Sequence, residues 1–124
     1  MTYVDGFVIA VPSGNREEFV AHARFFDEMI VAEGALRVVE CWGDDVKRGK
    51  VTDFFGAVQA TDDETVCFSW VEWPDKATRD AAHARMMARM EKGEIPKGHE
   101  TMPFDGKRMI FGGFVPVLEL GNRA

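Results

Sequence analysis

Apolar positions along the chain fall into short β-type runs separated by two long segments of helical periodicity. Residues 3 to 11 (YVDGFVIAV) are β-branched and aromatic, and Pro12-Ser13-Gly14 breaks the run, which predicts a first strand and its turn. Asn15 is placed to cap the next segment, with Glu18 three residues on and Gly34 as a stop, so a helix is expected over about 15 to 33. Its Phe19, His22, Phe26 and Met29 recur at three-and-four spacing and predict one buried face. Residues 36 to 46 (LRVVECWGDDV) predict a second strand, ended by the polar stretch through Lys47-Arg48-Gly49-Lys50. A shorter extended piece is expected over 53 to 60. The turn chemistry of Thr61-Asp62-Asp63-Glu64 joins it to residues 65 to 73 (TVCFSWVEW) as a hairpin. Pro74-Asp75 opens a second helix over about 75 to 91, with Gly93 just past its end. Residues 93 to 107 mix Gly, Pro and charge as a long surface loop does. In the last strand, 108 to 119 (RMIFGGFVPVLE), the Gly pair suggests a bulge and the Pro an edge position.

This order is the split β-α-β arrangement, so the predicted fold is α+β and ferredoxin-like: an antiparallel sheet with two helices on one face. The other face decides the assembly. In the first strand Tyr3, Asp5, Phe7, Ile9 and Val11 share one side while Val4, Gly6, Val8 and Ala10 share the other, so both sides are largely apolar. The strand at 65 to 73 repeats this, with Val66, Phe68 and Trp70 opposed to Cys67, Val71 and Trp73. Two helices cover only one side, and an uncovered apolar sheet is a large exposed patch. A homodimer through the sheet face, about a two-fold axis, is therefore expected.

Composition narrows the classes. At 124 residues and 13.9 kDa the chain fits one domain, residues 1–124. With 46% apolar and 29% charged residues it is ordinary globular material rather than a disordered chain. A net charge of −6 and a pI near 5.0 repel a phosphate backbone, and no basic patch offsets them, so nucleic acid is excluded as a partner. Met1 to Asp5 lack the basic and apolar regions of a secretory signal, and no apolar run reaches membrane-spanning length; a cytoplasmic protein without membrane contact is expected. Cys41 and Cys67 are too few and too far apart for a zinc motif or a disulfide framework, and read as buried free thiols.

The runs Tyr3-Val4-Asp5-Gly6-Phe7, Val39-Glu40-Cys41 with Asp44-Asp45-Val46, Phe68-Ser69-Trp70, and above all Met102-Pro103-Phe104-Asp105-Gly106-Lys107-Arg108-Met109-Ile110 resemble the YbaA-like bacterial family, domain of unknown function 1428. The resemblance covers nearly the whole chain. It implies membership of the dimeric α/β barrel superfamily, whose members include cofactor-free monooxygenases, muconolactone isomerase-like enzymes, haem-dependent relatives and plain ligand sensors. No established activity comes with it, and so varied a superfamily is only an analogy for function.

In such folds a pocket commonly lies between sheet and helices, and polar side chains projecting there are the candidates. His22, among Phe19, Phe26 and Met29, is either a general base shifted by burial or a core histidine bonded to backbone. His83 shares a helix side with Met86, Met87 and Met90, while Ala77, Ala81, Ala84 and Ala88 form a small-residue side suited to close packing. Methionine at this spacing is core, interface or pocket lining rather than a soft-metal site, and nothing local marks His22, His83 or His99 as a haem ligand, so neither metal nor cofactor is expected. Glu40 either faces solvent or a cavity, or pairs with a cation such as Arg108. Asp44 and Asp45 lie beside Lys47, Arg48 and Lys50 and read as an ion-paired turn. Phe104 to Arg108 is either a shaped turn or a segment that closes the pocket.

No nucleophile motif, phosphate loop, dinucleotide fingerprint or metal-ligand spacing is present. Three functions stay open. The first is a small-molecule binding or sensing module, its pocket drawn from Phe26, Trp42, Trp70, Met86 and Met90. The second is a cofactor-free monooxygenase or isomerase with His22 or His83 as base and Arg108 or a pocket tryptophan positioning the substrate. The third is a structural or protein-interaction dimer.

Overall fold

The computed structural model describes residues 2–94 and 101–121. Strand β1 (Tyr3–Pro12) pairs along its whole length with the later strand at Glu64–Trp73, antiparallel, from Tyr3 opposite Trp73 to Pro12 opposite Glu64. The edge strand β2 (Arg37–Trp42) joins that partner, β3, and the short β4 (Ile110–Phe114) joins the free side of β1, giving the antiparallel order β2-β3-β1-β4. Residues opposite one another in such pairs point to the same side of the sheet, so the register assigns every strand residue to a face.

Helix α1 (Arg16–Ala32) and the helix at Lys76–Glu91 lie on the face that carries Tyr3, Ile9, Val11, Cys67, Val71 and Trp73. Phe19 of α1 packs on Ile9, Val11 and Cys67, while Ala82 of the second long helix reaches Tyr3, Val71 and Trp73. The predicted small-residue side of that helix is not the packed one. Ala77, Ala81, Ala84 and Ala88 are exposed, and Ala82 is the buried residue, packed with Tyr3, Val71 and Trp73; Asp75 caps the helix, accepting from Thr78 N at 2.7 Å. Asn15 does not cap α1. A 3-10 turn (Ser13–Asn15) leads into that helix and the Asn15 amide donates instead to the Pro103 carbonyl at 3.1 Å. Gly34 closes α1 as expected, at a φ of 120° that L side chains rarely adopt.

Three strand expectations are corrected. Residues 53 to 60 are not extended and form no hairpin with β3: Asp53 accepts from Gly56 N at 2.7 Å and from Gly49 N at 3.0 Å, and so starts a short helix, α2 (Phe54–Ala57). This makes Lys76–Glu91 helix α3. Strand β2 stops at Trp42 rather than running to 46. The last strand spans Ile110–Phe114 rather than 108 to 119, and its register is unbroken, Gly6 facing Gly112 and Asp5 facing Gly113, so the glycine pair makes no bulge. Its reason is space: a Cβ on Gly113 would stand 2.2 Å from the Tyr3 hydroxyl oxygen. The edge position is as expected.

Candidate functional site

The face opposite α1 and α3 is the open one. One end of it is covered, where Val58, just after α2, is buried against Ala10 and Val66, and where Phe54 lies edge-on to Phe68 at 6.2 Å. Elsewhere Phe68 and Ile110 each stay 45% exposed and Phe114 61% exposed, values far from those of core residues. Together with Val4, Val8 and Trp70 they line a concavity of about 1090 Å³. The Phe114 ring lies over the facing Gly6 and Gly112, about 3.5–3.6 Å from where their Cβ atoms would be. One end is polar: the Trp70 indole donates to Glu72 Oε2 at 2.9 Å, and the Arg37 guanidinium is 3.9 Å from the same oxygen. Residues after β4 form a further wall through Pro116, Leu118 and Leu120, and the Thr2 hydroxyl donates to Glu119 at 3.4 Å.

The pocket was expected between sheet and helices, and the residues named for it divide accordingly. Trp70 lines the concavity. Trp42, on the helical face, packs on Phe19 at 6.1 Å, with Arg16 over its ring. Phe26 meets Phe25 edge-on at 5.0 Å and His22 at a tilt at 4.8 Å. On α3, Met86 is half-buried and Met90 is exposed, and neither reaches the concavity. The register places Trp70 opposite Gly6, on the side away from both long helices, and Trp42 opposite Cys67, on the side that carries them.

The helical face holds a charged network that starts from a residue the sequence hid in plain view, the acidic Asp5 within an apolar strand. Asp5 is buried and accepts from Trp73 Nε1 at 2.9 Å, from Arg79 Nη2 at 2.8 Å and from Arg79 Nε at 3.2 Å. His83 Nε2 lies 3.3 Å from its Oδ2. The Asp5 carboxylate raises the Arg79 pKa above the ordinary guanidinium value, and the Arg79 charge is also 5.2 Å from the Tyr3 ring centroid. His22 sits at the other end of this face, half-buried, against Phe26 at 4.8 Å and edge-on to Phe104 at 6.0 Å. His99 lies outside the described residues.

Arg108 does not pair with Glu40. Its guanidinium donates to both Glu64 oxygens at 2.8 and 2.6 Å, to Asp105 at 3.1 Å and to the Gln59 carbonyl at 2.7 Å, which ties the 102–110 motif to the start of β3 and the end of α2. The Arg108 hydrogen bond holds the Glu64 carboxyl down at about 2. Phe104 from the same motif packs on Phe19. The motif thus has the contacts of a shaped turn. Glu40 is exposed and meets Asp27 of α1 instead, across a groove of about 490 Å³ floored by Val20, Ala23, Val31 and Val38. Burial, then the hydrogen bond to Glu40 and its negative charge, push the Asp27 carboxyl up to about 8. Asp44 and Asp45 are exposed, with Asp45 2.8 Å from Lys47. Both cysteines are free; Cys67 is buried as expected and points to the helical face, whereas Cys41, on the open face, is only half-buried. Among the described residues no group of three or more His, Cys, Asp or Glu could hold a metal, and no buried side-chain polar atom lacks a partner. No described helix is long and apolar enough to cross a membrane.

An antiparallel four-strand sheet with its two long helices on one side and an apolar face on the other defines a ferredoxin-like α+β protein. The chain is similar, over 96% of its length and 98% of the other's, to the crystal structure of a dimeric ferredoxin-like protein from an uncultured marine organism, with a TM-score of 0.58 and 12% identity. It belongs to the family described as "Protein of unknown function (DUF1428)", whose model matches residues 2–106. It is 49% identical over 119 residues to "Uncharacterized protein YbaA" of Escherichia coli K12, spanning 96% of this chain and 99% of that one, and equally so to the YbaA of Shigella flexneri.

Proposed function

We propose that the protein is a homodimer closed through its open sheet face, and that the chamber between the two sheets binds a small apolar molecule. The observation that carries this is the concavity of about 1090 Å³ with Phe68, Ile110 and Phe114 left half-exposed along it. Apolar side chains arrayed on one face mark an interaction surface, and the solved protein of similar fold is itself described as dimeric. The ligand that suits the lining has a flat apolar body for the Phe68, Trp70 and Phe114 rings and a polar tip for the Arg37–Glu72 end.

The catalytic alternative has less support. Asp5, which would orient His83 as a base, is already charge-paired with Arg79, and Arg108 is neutralised by Glu64 and Asp105. Both sets of contacts are those of a fold being held together. One sheet carrying both helices supports a single domain, and two free thiols suit the reducing cytosol.

Native mass spectrometry of protein purified gently from its own host tests the reading. A dimer with a defined extra mass per chamber is expected. A monomer at micromolar concentration overturns the assembly, and a dimer of bare chains leaves the third function, an interaction dimer, in place of ligand binding.

A further inference from the structure

We infer that residues 115 to 120, which follow β4, form a clasp on the second copy; this rests on the sheet-face dimer proposed above. The segment leaves the sheet after Phe114, because Pro116 has no N–H with which to extend the ladder along β1. It nevertheless stays apolar, Val115-Pro116-Val117-Leu118 followed by Leu120, and Val117, Leu118 and Leu120 are 95%, 75% and 86% exposed. Single exposed leucines need no explanation, but four exposed apolar side chains within six residues, with only Pro116 part-buried among the apolar ones, do.

Position supplies the occupant. Pro116, Leu118 and Leu120 form a wall of the same concavity that the open face floors, so the run is continuous with the surface on which the second copy sits. The Thr2–Glu119 contact holds it at the end of the face where β1 begins. Leu118 and Leu120 look into the concavity yet remain mostly exposed, so they are not packed on their own sheet. Interface size points the same way. A stable pair takes roughly 20–30 residues from each side. Only alternate residues of each strand face outward, and β2 and β4 are six and five residues long, so the sheet alone falls short and the wall adds what is missing. Under a two-fold axis each clasp meets the partner in the same way, which makes the contact self-complementary.

The test is a dilution series by sedimentation equilibrium on the full chain and three variants. Leu118→Glu combined with Leu120→Glu is expected to raise the dimer Kd at least tenfold. Met87→Glu, at a comparably exposed site on α3 and so on the opposite side of the sheet, is expected to leave it unchanged. Ile110→Glu, on the sheet itself, tests the underlying dimer. If Ile110→Glu dissociates the protein and the tail variant keeps the parental Kd, the dimer stands and the clasp is wrong. A parent that is monomeric throughout overturns both. As an independent readout, protease cleavage within 115–120 is expected to slow at concentrations above the dimer Kd; equal rates above and below it would also overturn the clasp.

Discussion

Asp5 and Arg79, 74 residues apart in sequence, form a bidentate ion pair in which the Asp5 side chain is 4% exposed and the Arg79 side chain 20%. Trp73 and His83 turn to the same carboxylate, so one buried charge anchors β1, β3 and α3 together. Replacing Asp5 by Ala leaves a part-buried guanidinium and a buried indole N–H without their acceptor. Removing one partner of such a pair typically costs about 3–5 kcal/mol. Urea unfolding of Asp5→Ala is therefore expected to lose about 3 kcal/mol or more, with Asp5→Asn losing less because its amide oxygen still accepts from Trp73. Equal stability of parent and Asp5→Ala would refute the anchoring role.

Tyr3 of β1 and Gly113 of β4 make a second testable contact. A methyl at Gly113 would stand 2.2 Å from the Tyr3 hydroxyl oxygen and 2.8 Å from two of its ring carbons, closer than real Cβ atoms come. Overpacking of this kind costs about 1–3 kcal/mol. Gly113→Ala is expected to destabilise by that amount. Adding Tyr3→Phe should recover part of the loss, since the oxygen goes but the ring stays. A double-mutant cycle with no coupling between the two sites would show that the close approach is not what the glycine serves.

These contacts mark the boundary of what the sequence makes legible. Strand and helix positions follow from alternation and three-and-four spacing, which are local, and so β1, β3, α1 and α3 can be read within a residue or two. The aromatic pair Phe54-Phe55 reads as β-prone, yet Asp53 bonds the backbone of Gly49 and Gly56 and starts a helix; a cap overrides propensity there. Val115 to Glu119 read as strand because the apolar character largely continues, and only the ladder shows that pairing ends at Phe114. The two-sided apolar pattern of β1 discloses the open face without any structure. The Asp5–Arg79–His83 network and the Asp27–Glu40 contact are not disclosed, because each joins elements whose adjacency depends on the sheet order, and two carboxyl groups in contact are opposite to what charge pairing suggests.

Along with the other carboxyls held below their ordinary values, Asp53, Asp75, Asp80 and Asp105, Glu64 contributes to the acid limb of stability. Its hydrogen bond from Arg108 lowers the carboxyl from 4.5 to about 2 in the folded chain, so the unfolded chain takes up a proton first as the pH falls. The stabilisation is complete above about pH 4.5 and is lost as the pH falls toward 2. Melting curves from pH 6 to 2 are expected to show a steeper acid loss for the parent than for Glu64→Gln, which starts less stable and has less to lose. Parallel curves would mean that the pair contributes nothing that protonation removes.

Asp27 works in the opposite direction. Burial and the neighbouring Glu40 carboxylate raise it from 3.8 to about 8, so between those pH values the folded chain keeps a proton that the unfolded chain has released. The stabilisation is complete below about pH 3.8, declines as the pH rises, and is gone once the pH passes about 8. Asn at this position can still donate to Glu40 and cannot ionise. The melting temperature of Asp27→Asn relative to the parent is therefore expected to climb steadily from pH 5 to 8.5, and to level off beyond. The partial exposure of the α1–β2 groove makes the climb smaller than the pKa displacement alone implies, because water screens the charge there. A difference that stays flat across this range would mean that Asp27 is ionised in the folded chain at neutral pH, with the α1–β2 contact resting on the apolar floor of Val20, Ala23, Val31 and Val38 alone.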